Sequence, residues 1–196
     1  PMTTHRLPLP AAAIAAAALA LSACAPLPAG APADVAARSF SSAFELQGRI
    51  SANDGSRAAS GRIEWRHEHD TDSFALLTPM GQVVATLDAD AAGARLRTAD
   101  GQSLHAASAE ALLPRVLGIE VPAGRLSRWV QAAPDADAEV RTLDSAGRPA
   151  ILIDQGWRIE YLEYAGTAGD APPARLDVSR GDARIRLVID SWTALP

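Results

Sequence analysis

From Phe44 onward the chain alternates apolar and polar residues with a period of two. Phe44, Leu46, Gly48 and Ile50 interleave with Glu45, Gln47 and Arg49, and Ile63 and Trp65 interleave with Arg62, Glu64 and Arg66. Phe74 and Leu76 continue the theme, followed by Val83, Ala85 and Leu87, then Ala94 and Leu96. The later runs are Ile151 and Ile153, Ile159 and Tyr161, Leu176 and Val178, and finally Ile185, Leu187 and Ile189. Successive side chains of a strand point to opposite faces, so this pattern predicts strands with one buried and one wet face. Turn signals separate the runs: Asn53-Asp54-Gly55, Asp100-Gly101, Ser145-Ala146-Gly147, Asp154-Gln155-Gly156 and Arg180-Gly181-Asp182. Short strands and turns at regular spacing imply an antiparallel meander of about eleven strands, curved into a barrel.

Two helical stretches interrupt the meander. Ser108 can cap a helix over Ala109 to Leu117, with Leu112, Leu113, Val116 and Leu117 on one side and Gly118 as its stop. Pro114 lies inside it and is expected to kink it or confine it to short turns. A second piece follows Pro122, with Leu126, Trp129 and Val130 as its apolar stripe. Helices placed mid-meander fit across the open mouth of a barrel. A further short helix is expected over Asp34 to Ser42, capped by Asp34.

The first residues have another character. His5 and Arg6 sit in a polar start, and Ala11 to Leu21 is an apolar stretch of signal-peptide length, too short to span a bilayer. Leu21-Ser22-Ala23-Cys24 follows and resembles a lipobox, the site at which bacterial lipoprotein precursors are lipidated on cysteine and cleaved before it. Cys24 is the only cysteine, which excludes a disulfide framework and a cysteine-based zinc site. Ala25 follows it, not Asp, and resemblance to enterobacterial sorting rules then implies the outer rather than the inner membrane. Pro26 to Ala33 reads as an extended tether. The expected division is a signal peptide over 1–23, a lipidated tether over 24–33 and a folded domain over 34–196.

Composition narrows the function. All 18 basic residues are Arg, and the formal charge is −5, so the chain lacks the basic patch that nucleic-acid binding requires. It also lacks a polybasic stretch for an anionic membrane surface, which leaves the lipid on Cys24 as the expected attachment. No nucleophile elbow, phosphate loop or dinucleotide fingerprint occurs. His67-Glu68-His69 could present two imidazoles on one strand face to a metal, but its position beside a turn favours a solvated hairpin end. The carboxylates are scattered over turns and strand faces. No catalytic constellation, cofactor or metal is therefore expected. What remains is apolar: Trp65, Trp129, Trp157 and Trp192, with a helical plug, suggest a barrel with a greasy interior.

In order and spacing, several pieces resemble the LolB family of outer-membrane lipoprotein receptors. They are the lipobox at Cys24, Phe44-x-Leu46-x-Gly48-Arg49, Ile63-Glu64-Trp65 and Leu76-Leu77-Thr78-Pro79-Met80-Gly81. Gly118-Ile119-Glu120-Val121-Pro122, Leu126-Ser127-Arg128-Trp129-Val130, Gly156 to Tyr161 and Ile185 to Trp192 complete the set. The resemblance implies an incompletely closed antiparallel barrel of about eleven strands, with helices covering the opening. It implies a non-enzymatic role: accepting lipoproteins from a LolA-like periplasmic carrier and inserting them into the inner leaflet of the outer membrane. It also implies a protruding loop, here Pro79, Met80 and Gly81, with methionine where the family has leucine. The expected acyl-cavity residues are Ile63, Trp65, Phe74, Leu76, Trp129, Trp157 and Trp192, on the concave side or on the plug facing it. The partners implied are the carrier, cargo acyl chains and outer-membrane lipid, and the protein is expected to be a monomer. The competing reading is a scaffold lipoprotein of outer-membrane protein assembly, or another envelope-binding protein, which would lack an acyl cavity.

Overall fold

The computed structural model describes residues 38–196. The expected signal peptide, Cys24 and the tether lie outside them. Six strands come first: β1 (Ala43–Asn53), β2 (Ala58–Glu68), β3 (Thr71–Leu77), β4 (Val83–Asp90), β5 (Gly93–Thr98) and β6 (Ser103–Ala106). Helices α1 (Ala109–Leu117) and α2 (Ala123–Trp129) follow. Five more strands close the chain: β7 (Glu139–Leu143), β8 (Pro149–Asp154), β9 (Trp157–Tyr164), β10 (Pro173–Arg180) and β11 (Ala183–Ala194).

The eleven strands form one antiparallel sheet in the order β6-β5-β4-β3-β2-β1-β11-β10-β9-β8-β7. The first and last strands meet in the middle, β1 against β11, and the free edges are β6 and β7. The sheet is therefore not closed, and the helices connect its two edges. Helix α1 packs against β2, β4, β5 and β6, and its buried side chains Leu112, Leu113 and Leu117 join the core of the concave face.

The burial of β1 follows its sequence alternation: Phe44, Leu46, Gly48 and Ile50 are buried and the residues between them exposed. One face of the ribbon is covered and the other wet, and the apolar set takes the covered face. The pairing of β1 with β11 slips between Gln47 and Gly48. There a side chain on Gly48 would place its Cβ 2.2 Å from the Val188 carbonyl oxygen, so only glycine fits the bulge.

Three expectations are corrected. On β8 it is Leu152 that is fully buried in the core, whereas Ile151 and Ile153 are on the opposite, half-covered face. Val83 is half exposed, because the β3–β4 register shifts at Leu77 and takes it off the alternation that Ala85 and Leu87 keep. The described part of the expected N-terminal helix, residues 38–42, is irregular. It is fastened by Arg38, which donates to the Gln131, Gly169 and Ala171 carbonyl oxygens at 2.8–3.2 Å. Helix α1 spans the expected residues with Pro114 inside it, and Gly118, at φ 76°, donates its N–H back to the Pro114 carbonyl at 3.0 Å.

The meander gives the sheet two distinct ends. The chain enters β1 beside the β2–β3 turn, where the His69 N–H donates to the Ser42 carbonyl at 2.6 Å. The turn at 91–92 shares this entry end. The β1–β2, β3–β4, β5–β6 and β10–β11 turns lie at the other end, so Met80 sits a full strand length from the point of entry.

Candidate functional site: an apolar cavity and an exposed tip

The concave face and the helices enclose a cavity of about 80 Å³. Its walls are apolar side chains from β1 to β4, β10 and β11, and its roof is Leu113, Val116 and Leu117 of α1 with Leu126, Trp129 and Val130. Ile63, Trp65, Phe74, Leu76 and Trp129 all line it. Trp157 and Trp192 do not. Trp157 is fully buried on the concave side, but it lies behind Trp129, ring centroids 6.0 Å apart, with the Arg180 guanidinium 4.5 Å from its ring centre. Trp192 pairs with Leu46 in the sheet and stacks on Phe44 at 6.0 Å, below the cavity floor. Both sit on the expected face of their strands, but too far along it.

The aromatic walls are held by ring and polar contacts. Trp65 stacks on Phe74 at 4.8 Å and meets Phe44 edge-on at 4.9 Å, while its Nε1 donates to Asp72 Oδ1 at 2.8 Å. Trp129 Nε1 donates to the buried Asp154 Oδ2 at 2.7 Å, and the Trp129 carbonyl accepts from the Tyr161 hydroxyl at 3.0 Å. Burial drives the Tyr161 pKa well above the usual phenol value, so this hydroxyl stays a donor. Helix α2 is further tied by Arg125 to Asp135 and Asp137 and by Arg128 to Asp135. Helix α1 has no such bolt: among the described residues, no side-chain hydrogen bond joins it to the sheet.

Met80 is at the tip of the β3–β4 hairpin and 90% exposed. The Gly81 N–H donates to the Thr78 carbonyl at 2.9 Å and the Thr78 N–H to the Gln82 carbonyl at 2.8 Å, with Gly81 at φ 85°. This is a type I turn closed by a glycine bulge. The same bonding recurs at Thr98–Gln102 and Asp144–Arg148, where Asp100 and Ala146 hold the place of Met80. The turn therefore does not call for a large apolar residue. Half-exposed Val83 and part-exposed Val84 follow directly, which makes this tip the most apolar protrusion among the described residues.

Among the described residues no group of three or more His, Cys, Asp and Glu side chains is placed to hold a metal ion. His69 is at the turn, but His67 is 7% exposed and its Nδ1 lies 2.8 Å from Asp72 Oδ1. It is thus a buried partner of the cavity wall and not a solvated hairpin end. Sequence reasoning also missed the lower concave face, where His67, His69, Asp70, Asp72 and Asp90 border an open polar cleft with Phe40 and Arg128. The available signal was the continuation of one parity from Trp65 to His67 and from Phe74 to Asp72.

Comparison with known proteins agrees with this architecture. A family model described as "Outer membrane lipoprotein LolB" matches residues 42–192. Among curated relatives, the outer-membrane lipoprotein LolB of Azoarcus sp. (strain BH72) is 56% identical over 158 residues, covering 81% of this chain and 82% of that protein. The protein of the same name from Thiobacillus denitrificans is 38% identical over 155 residues, with 79% and 82% covered. A crystal structure of a LolA superfamily protein from Nitrosomonas europaea superposes with a TM-score of 0.52 at 9% identity, over 81% of this chain and 89% of that one, and so shares the fold. On the family match and these identities, the chain belongs to the LolB family of outer membrane lipoproteins.

Proposed function

We propose that this protein is a lipid-anchored outer-membrane receptor, attached through Cys24 and facing the periplasm. It takes lipoproteins from a soluble LolA-like carrier and inserts them into the membrane without covalent chemistry. The observation that carries this reading is the apolar cavity between the sheet and the two helices. Exposing an acyl chain of about sixteen carbons to water costs on the order of 12 kcal/mol at ~0.8 kcal/mol per CH₂. A receptor must therefore offer an apolar enclosure before the carrier lets go. At about 80 Å³ the cavity is roomier than a packed core but smaller than such a chain, so entry requires the roof to lift. Helix α1, held by apolar contact alone, is the piece that can give.

Met80 fits the delivery step. Burying one such side chain in a bilayer interface contributes about 1–3 kcal/mol, too little to hold the protein there but enough to set the tip against the membrane. The test separates acceptance from delivery. Met80→Glu should still take lipoprotein from the carrier but pass it poorly to liposomes, and Met80→Leu should behave as the parent. Normal delivery by Met80→Glu, or failure already at acceptance, removes the assignment of the loop. A cavity that no acylated probe enters would favour the scaffold reading.

A further inference from the structure

The concave face changes character at one level across three neighbouring strands. Towards the entry end, β2 presents Ile63 and Trp65, then His67 and, at its turn, His69. Its partner β3 presents Leu76 and Phe74, then Asp72, with Asp70 at the turn. The next strand, β4, presents Ala85 and Leu87 to the cavity and ends in Asp90 beside the cleft. Helix α2 spans both regions: Leu126 and Trp129 roof the cavity, while Gly124, Ser127 and Arg128 border the cleft.

Trp65 is the boundary between them. Its ring faces Phe74 inside the cavity, and its N–H points to Asp72 Oδ1, which also pairs with the nine-tenths buried His67. Beyond the cavity at the other end of the sheet stands the apolar Met80 tip. Along the sheet the order is thus an apolar tip at one end, an apolar cavity, and a polar cleft at the other end. An acylated polypeptide has the same order: methyl ends, methylenes, then peptide amides.

We infer that cargo lies along this face with its acyl methyl ends toward the Met80 end. The first residues of its polypeptide then occupy the cleft between α2 and the turns at 69–70 and 91–92. This rests on the cavity being the acyl site. The chemistry of the cleft selects its occupant. Asp70, Asp72 and Asp90 supply carboxylate acceptors, and the one arginine, Arg128, is already held by Asp135, its Nε 2.7 Å from Oδ1. Peptide N–H groups would be costly if carried unpaired into the cavity, and at its rim they find charged acceptors. Cationic and neutral side chains suit the place, and acidic ones are repelled.

A palmitoylated hexapeptide bearing a diazirine either at the last acyl carbon or in its second residue, added to detergent-solubilised full-length protein, tests the orientation. The acyl-tip probe should label Ile50, Leu76, Val178 or Ile185. The peptide probe should label Phe40, His69, Asp70 or Arg128. The reverse pattern overturns the orientation, whereas no adduct in the cavity from either probe removes the acyl-site reading beneath it. A second measurement reads the charge of the cleft. The parent should prefer Lys over Glu at the peptide's second residue. The double variant Asp70→Asn and Asp90→Asn should reduce that preference by about threefold or more. Palmitate itself should bind both proteins alike. An unchanged preference means that the peptide does not lie in the cleft.

Discussion

Arg38 shows how much one side chain can hold at the margin of this fold. It links the segment before β1 to the carbonyls of two separate loops and lies 5.2 Å from the Tyr164 ring centre, with Arg148 at 4.1 Å from that ring. Hydrogen bonds from a charged donor contribute about 1.5–3 kcal/mol each. We expect Arg38→Ala to destabilise by at least about 2 kcal/mol in urea unfolding. Deletion up to residue 37 should cost little by the same measure. Tyr164, in the same cluster, makes a second test. Burial first of all, opposed by Arg38, pushes its pKa from the usual 10.0 up to about 12. The unfolded chain ionises this phenol near 10 and the folded protein does not, so its contribution is complete below pH 10 and lost as pH rises through about 12. Stability followed by denaturant titration should fall over that window, and less steeply in Tyr164→Phe.

At the scale of elements, glycines mark where strands must touch. Gly48→Ala would force a methyl against the Val188 carbonyl oxygen and should cost about 1–3 kcal/mol or more. Gly124→Ala, exposed in α2 with open space where its Cβ would stand, should be neutral or slightly stabilising. Equal midpoints for the two variants in thermal unfolding would mean that the bulge can relax. Alternation was legible wherever one face of a strand is wet, as on β1 and β11. It failed on β8, because Ile151-Leu152-Ile153 offers apolar residues to both faces, and only the packing of Leu152 against the core decides between them. The edge strands β6 and β7 left no clear alternation because so few of their residues are covered. For the cavity, parity found the right face for Trp157 and Trp192, but the level along each strand depends on register and curvature, which no local pattern encodes. The cleft escaped notice because charged residues near a turn look alike whether they face solvent or a groove.

The described domain as a whole is an open sheet whose edges are bridged by helices, so no strand ladder closes its interior on that side. A closed barrel would have to break a ladder of hydrogen bonds to admit a chain, whereas the helix proposed to lift here, α1, is joined to the sheet by no side-chain hydrogen bond among the described residues. The same meander puts the Met80 tip and the start of β1 at opposite ends. With the anchor proposed at Cys24, the chain from there to Arg38 would be a leash that joins the described fold at the end away from the tip. For the tip to meet the membrane that holds the lipid, the leash would need at least the length of the body. β1 has 11 residues and spans ~36 Å at about 3.3 Å per residue. The backbone from Cys24 to Arg38 can reach about 50 Å at most. The margin is narrow. Removing Pro26 to Ala31 would leave about 28 Å of reach, less than the body is long. Such a variant should accept cargo normally and fail to deliver it, while a Gly/Ser replacement of the same six residues should deliver as the parent does. Leash length would then act as a gauge: it would fix how far from its own anchor the protein can set down what it carries.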